Sequence, residues 1–301
     1  MKPKIIIVCG PTATGKTALA VNLAKRLSSE VISADSMCIY KGFDIGTAKP
    51  TRAERQEVRH HMIDIRCGNE PFSVADYKQI ATPIAESLLH EGKTPILCGG
   101  TGFYIESVLY DFSYGNGGKN DAVRKKYEQL AATEGKDALY LLLQEKDPLT
   151  AEKLHKNDVH RVIRALEICE CSGKAKSQFA DRRIPKYDYI AVCFDFQREE
   201  LYKRIDLRAQ KMFDEGLVEE VEHLKSTGIC EGSQAMQGIG YKEVLAYLRG
   251  EFGLKEAIEL VKQNSRRYAK RQITFFKRLE NIRYLQPMSS DEAAEEVLKL
   301  L

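Results

Sequence analysis

What the 301 residues lack narrows the field first. No apolar run nears the roughly 18 residues of a membrane span, and no signal-peptide pattern opens the chain, which runs at once into a strand. None of the eight cysteines forms a C-x-x-C pair; Cys169 and Cys171 make only a C-x-C. None of the six histidines lies in an H-E-x-x-H, and adjacent His60 and His61 would point to opposite faces of a strand. A zinc site is therefore not expected. Most cysteines sit inside apolar runs (IIIVC, PILCGG, AVCFDF), where Cys behaves as a small buried hydrophobe, so a disulfide scaffold is not expected either. These absences together predict a protein of the reducing cytoplasm. An excess of charge is missing too: the net charge of +3 is too small to imply nucleic acid by itself. Hydrophobic content of 43% against 30% charged is ordinary for a globular chain and argues against disorder.

What is present alternates. KIIIVC (4–9) reads as a buried strand, followed by a Gly-rich turn and a helix over 17–27. EVISA (30–34) reads as a second strand, MIDI (62–65) as a third and TPILCGG (94–100) as a fourth. Ser73 with Asp76 makes a capping box for a helix reaching about residue 89, and another helix starts near Thr101. Nearly all-apolar strands alternating with helices predict an α/β fold, a parallel sheet covered on both faces. The rhythm breaks at DFSYGNGGKND (111–121), after which only helical patterns appear until YDYIAVCFDF (187–196) restores a strand. In that stretch Asp147-Pro148 looks like a cap and first helical residue, and Asp158 caps a helix that ends at Gly173. The expected organisation is a core of residues 1–112 and 188–301, interrupted by an all-helical domain over 113–187. Helices over 198–226, 241–249 and 254–280 close the core.

The turn after the first strand reads GPTATGKT, the G-x-x-x-x-G-K-T spacing of a P-loop. Between a buried strand and a helix, such a loop aims several backbone N–H groups at one point, at the positive end of the helix dipole. Gly10, Pro11, Thr12, Ala13, Thr14 and Gly15 would form the cradle, with Lys16 as a point charge and Thr17 offering a hydroxyl to Mg²⁺. A Gly-rich turn that binds nothing is the plain alternative, and the strand–loop–helix context argues against it. The motif recognises a diphosphate and its metal, not a base. The fourth strand ends in Gly99-Gly100-Thr101-Gly102, with no carboxylate to hold the Mg²⁺ of an ordinary phosphotransferase. The first acid after a core strand is Asp35, at the carboxyl end of strand two, where open α/β sheets bind ligands. A loop-starting Asp also commonly caps nearby amides.

Joined to GPTATGKT, the run DSMCIYKGFDIGTAKP (35–50) resembles the tRNA dimethylallyltransferases, also called tRNA isopentenyltransferases, in their bacterial form. The likeness continues in GGTGFYI (99–105), DVHRVIRALEI (158–168), QGIGYKE (237–243) and AKRQITFFKR (269–278), spanning nearly the whole chain in order. It implies transfer of a dimethylallyl group from dimethylallyl diphosphate to N6 of the adenosine 3′-adjacent to the anticodon. Asp35 then matches the general base and Thr101 a residue near the reacting groups; Arg208, otherwise a plain helix position, matches a charge on the diphosphate. The resemblance further places Ser36, Met37 and Cys38 at the RNA beside Asp35 and Thr101. In the insertion it places Arg124, His160, Arg161, Val162, Ile163 and Arg164 there. Gln237, Gly240, Tyr241 and Lys242 join them, as do Lys270, Arg271, Gln272, Thr274 and Lys277. Some bacterial members carry Arg where Gln237 stands, so that contact is neutral here, and the zinc-finger tail of eukaryotic members is not in the sequence.

Charge distribution points the same way. Between Lys262 and Arg283 there are eight Lys or Arg against one acid, Glu280; a merely solvated helix face usually mixes signs, so phosphate contacts are expected. Arg161 and Arg164, three apart, form a second basic patch on the insertion. The expected partners are the tRNA anticodon stem-loop and dimethylallyl diphosphate, with no membrane, and the chain is expected to be a monomer. Three alternatives stay open: a P-loop kinase, an adenylate isopentenyltransferase acting on free nucleotide, and a non-catalytic RNA-binding module.

Overall fold

The computed structural model describes residues 4–112, 120–179 and 183–301. The chain forms two compact units, one taking residues up to Leu109 and from Pro185 on, the other Tyr110–Ile184. The sequence reading put these boundaries about three residues later, and most of the Gly/Asn-rich break that marked the first (113–119) lies outside the described residues.

In the larger unit β1 (Lys4–Cys9), α1 (Lys16–Arg26), β2 (Val31–Ser33), α2 (Arg52–Arg55), β3 (His60–His61), α3 (Val74–His90), β4 (Ile96–Gly99) and α4 (Gly102–Leu109) precede the insertion. The insertion holds α5 (Asp121–Thr133), α6 (Gly135–Lys146), α7 (Pro148–Ala151) and α8 (Val159–Ser172). The larger unit resumes with β5 (Asp188–Phe194), α9 (Arg198–Asp214), α10 (Leu217–Ser226), α11 (Tyr241–Leu248), α12 (Leu254–Phe276), β6 (Arg283–Leu285) and α13 (Ser290–Leu298). The six strands pair in the order β3-β2-β4-β1-β5-β6, every neighbouring pair parallel. The α/β class with a parallel sheet and a helical insertion is what the strand–helix rhythm predicted.

Residues Ile5–Cys9 are at most 1% exposed. A strand buried on both faces needs no polar alternation, which is why β1 reads as an unbroken apolar run. Leu19, Leu23, Ile96, Val192 and Val297 pack with it in one cluster under α1 and α13. The insertion has its own core, built on Tyr127, Leu139, Leu143, Val162, Ile163 and Leu166.

Four expectations need correction. MIDI is not a strand: β3 is His60–His61, and Met62 (φ 62°) and Asp64 (φ 58°) are left-handed. Met62 and Ile63 are apolar because the turn buries them, at 2% and 9% exposure. The span 198–226 is two helices, broken at Gly216, whose φ of 99° no helix interior tolerates. Asp158 stands at the start of α8 without bonding its amides, and pairs instead with Arg161 at 3.3 Å. Finally, β6 and α13 follow the region read as helical; three residues are too few to show a strand period. The capping box of Ser73 and Asp76 and the Asp147 cap on Thr150 N are both present.

Candidate functional site

The site is assembled at the carboxyl ends of β1, β2 and β4. Gly10 (φ 122°), Ala13 (φ 64°) and Gly15 (φ 89°) turn the chain tightly between β1 and α1. The loop is braced from within by Thr14 Oγ1, which donates to Pro11 O at 3.0 Å. From outside, Gln272 of α12 accepts from Thr12 N and donates to Gly100 O, both at 3.0 Å, tying the loop to the end of β4. Neither Gly15 nor an acid caps α1, so its first amides keep no intrahelical partner and its dipole is left to an anion. Lys16 Nζ lies across the loop, donating to Pro11 O at 2.5 Å. Burial lowers the Lys16 pKa below the ordinary lysine value, with Arg208 adding to the shift and nearby thiols and Asp35 opposing it.

Asp35 leaves the sheet two residues after β2. Its Oδ1 accepts from Met37 N at 2.9 Å, which shapes the turn and leaves the rest of the carboxylate facing the cavity. Thr101 fastens this turn to β4: its amide donates to Ala34 O (2.9 Å) and its Oγ1 accepts from Ser36 N (3.0 Å). A Cβ on Gly99 would lie 2.2 Å from Ala34 O, so only glycine allows the two strand ends to approach so closely.

Arg208 reaches in from α9. Its Nη2 donates to Thr47 O at 3.2 Å, while its Nε is buried with no acceptor. Burial lowers its pKa, and the Asp35 carboxylate opposes that shift. A buried guanidinium donor without an acceptor, beside a buried ammonium and a helix N-terminus, is a site prepared for an anion.

Two adjoining cavities result. The inner one, about 100 Å³, is lined by Lys16, Thr17, Gly99 and Gly100. The outer, about 320 Å³, has an apolar wall that includes Met37, Ile205, Met212, Ile239 and Val261, with Lys242 and Arg271 among its polar residues. Thr12, Asp35, Thr47, Arg208 and Tyr268 line both. Tyr268 escaped the sequence reading, because it sits inside SRRYAKRQ, where the surrounding charges suggest an exposed face. Its spacing to Gln272, one turn on, was the available signal. Burial, then the Asp35 charge, push the pKa of its phenol far up.

The structure thus brings Lys16, Thr17, Asp35 and Arg208 to one cavity, with Thr101 behind Asp35. Ser36, Met37, Gln237, Lys242 and Arg271 line the outer cavity. Other residues assigned to RNA are placed differently. Gln272 is 4% exposed and committed to the P-loop, and Cys38 is 5% exposed at the inner cavity. Gly240 is buried, and Tyr241 is fully buried with its hydroxyl donating to Glu220 at 2.7 Å. Val162 and Ile163 are core residues of the insertion. Arg124 and Arg164 both hold the buried Glu167, at 2.8 and 2.9 Å, so the patch expected from Arg161 and Arg164 is largely neutralised. His160 and Arg161 remain exposed, as do Lys270, Thr274 and Lys277. The long basic run is thinner than its count, since Lys262 pairs with Glu259 and Arg266 with Asp206.

The chain resembles known proteins over nearly its whole length. The family model described as IPP transferase matches residues 38–279. A tRNA dimethylallyltransferase of Acetivibrio thermocellus is 44% identical over 300 residues, 99% of this chain and 96% of its own. The crystal structure of a tRNA isopentenylpyrophosphate transferase from Bacillus halodurans superposes with a TM-score of 0.74 at 40% identity, covering 99% of this chain and 95% of that one. A eukaryotic dimethylallyltransferase captured acting on tRNA gives a TM-score of 0.83 at 28% identity, over 95% of this chain and 74% of the other. On a match of this extent, the chain belongs to the IPP transferase family.

Proposed function

We propose that this protein transfers a dimethylallyl group from dimethylallyl diphosphate to N6 of the adenosine 3′-adjacent to the anticodon in tRNA. The observation that carries the reading is a pair of adjoining cavities, the inner against the glycine-rich loop and Lys16, the outer with Lys242 and Arg271, and the Asp35 carboxylate lining both. The diphosphate lies on the amides of the P-loop, with Lys16 and the spare N–H groups of Arg208 directed at it. The apolar wall takes the prenyl group. The adenosine, splayed from an RNA loop, enters from the mouth past Lys242 and Arg271.

In the reaction the allylic C–O bond breaks and the bond from C1 to N6 forms. The electron pair of the broken bond leaves on pyrophosphate, where Lys16, Arg208 and the loop amides meet the growing charge. The N6 proton passes to the Asp35 carboxylate, whose turn is fixed by Met37 N and Thr101. Among the described residues no three His, Cys, Asp or Glu side chains group to hold a metal. The donors still suit Mg²⁺, since Thr17 offers a hydroxyl and the diphosphate brings its own oxygens, the way this ion usually binds. When bound there, Mg²⁺ neutralises charge on the leaving diphosphate.

The exposed His160 and Arg161 of the insertion make further RNA contacts. We further propose that the chain acts as a monomer, and a tRNA substrate supports a cytoplasmic location. Among the described residues no helix is long and apolar enough to cross a membrane. Both the relatives' names and the basic mouth favour tRNA over free nucleotide, and the absence of an acid in Gly99–Gly102 disfavours a kinase. Incubating undermodified tRNA with radiolabelled dimethylallyl diphosphate, with AMP and ATP in parallel, tests this. Label should enter tRNA alone; label in AMP, or none in tRNA, overturns the reading.

A further inference from the structure

Phe103 stands 54% exposed in the first turn of α4, two residues after Thr101. Isolated exposed apolar residues are common on protein surfaces and need no function. This one is held in place. Its ring meets Phe275 of α12 edge to face, centroids 4.9 Å apart at 72°. A Cβ on Gly102 would lie 2.1 Å from the Phe275 ring, so the start of α4 rests directly on that ring. Arg278 covers Phe275 with its guanidinium carbon 4.4 Å from the ring centroid. Phe275 also follows Arg271, which lines the mouth of the outer cavity, by one helical turn, so the two lie on the same face of α12.

The surroundings are cationic. Lys270, Arg271 and Lys277 are exposed near this ring pair along the chain, and among the described residues no acid pairs with them. An immobilised aromatic face within a cationic surface suits a group with both a π-face and a phosphate, and single-stranded RNA offers both at every nucleotide.

We propose that the Phe103 ring is a stacking platform for an unpaired base neighbouring the adenosine whose amine enters the cavity. The inference rests on the tRNA-modifying reading above. It adds a contact that holds the loop open by stacking rather than by charge.

The chain contains no tryptophan, so Phe103→Trp places a single indole at the platform. Titration with an anticodon stem-loop RNA should quench its emission saturably, and a loopless duplex of the same stem should not. Phe103→Ala should raise the tRNA KM about 10- to 100-fold, the usual loss for one stacked base. It should leave the KM for dimethylallyl diphosphate and the slope of log K against log salt unchanged, since no phosphate contact is removed, and lower the melting temperature by no more than a few degrees, for the lost edge contact with Phe275. Phe103→Tyr should restore the KM. An unchanged tRNA KM in Phe103→Ala, a changed salt slope, or equal quenching by the duplex overturns the proposal. Wild-type transfer to tRNA, run alongside, separates this failure from failure of the enzymatic reading, which would abolish transfer by the unaltered chain.

Discussion

Arg208 gives the sharpest separation between a residue kept for folding and one kept for chemistry. In the free protein it bonds one acceptor, Thr47 O, and buries Nε with none. An unsatisfied buried donor costs the fold about 1–3 kcal/mol, so removing it returns much of what the lost Thr47 bond takes away. Arg208→Met keeps the stem and its packing, and should leave the melting temperature within a few degrees of wild type. Transfer should behave otherwise. A hydrogen bond to a charged partner is worth about 1.5–3 kcal/mol, which corresponds to about 10- to 150-fold in rate. Single-turnover transfer at saturating tRNA, measured beside thermal unfolding, gives both numbers. Loss of at least ten-fold with stability retained supports the anion role. A fall in melting temperature with transfer intact refutes it, and returns Arg208 to a structural strut for the Thr47 loop.

Three further outcomes follow from the same geometry. Lys16 has its pKa lowered by burial, so kcat/KM for the prenyl donor should fall with rising pH through a value below the ordinary 10.5, as the ammonium that faces the diphosphate is lost. A pH profile flat to that value contradicts the assignment. Replacing Arg267, Lys270 and Arg271 by Gln should flatten the salt dependence of tRNA binding by about 2 in slope, at roughly 0.7 per lost single-strand contact, with donor KM unchanged; an unaltered slope makes the face merely solvated. In the insertion, burial alone would raise the pKa of Glu167, but hydrogen bonds from Arg164 and Arg124 outweigh it and hold the value down. That stabilisation is present above the ordinary glutamate range and lost as pH falls through the depressed value. Glu167→Gln should cost about 3 kcal/mol, the low end for a broken buried pair because its arginines are one-third exposed. Denaturant unfolding that shows no loss contradicts this.

The core strands and the tight glycine-rich turn after β1 were legible because local chemistry decides them. A strand buried on both faces is an unbroken apolar run, and the glycines at positions 10 and 15 take positive φ that the loop requires. The capping boxes were legible for the same reason, as bonds closed within four residues. What lay hidden was decided at long range. Gln272 reads as part of an RNA-facing helix, yet its amide is spent on Thr12 and Gly100, 260 and 172 residues away. Arg266 reads as one cation in a basic run until Asp206 is brought against it from α9. Val162 and Ile163 were assigned to RNA through the resemblance, yet they pack against α5 and α6 in the core of the insertion. The hydrophobic residues of MIDI were read for burial correctly and for backbone wrongly, since a turn can bury Met62 and Ile63 as well as a strand does.

The central claim is that a carboxylate at the cavity neck takes the N6 proton while the cradle holds the leaving diphosphate. Asp35→Asn tests it most directly. Asn keeps an oxygen for the bond from Met37 N and so keeps the turn, but cannot accept a proton. The account predicts that single-turnover transfer falls about 10²-fold or more, the range for a lost general base, while tRNA and dimethylallyl diphosphate bind nearly as before. Normal turnover with collapsed tRNA affinity would make Asp35 a recognition residue and contradict the account.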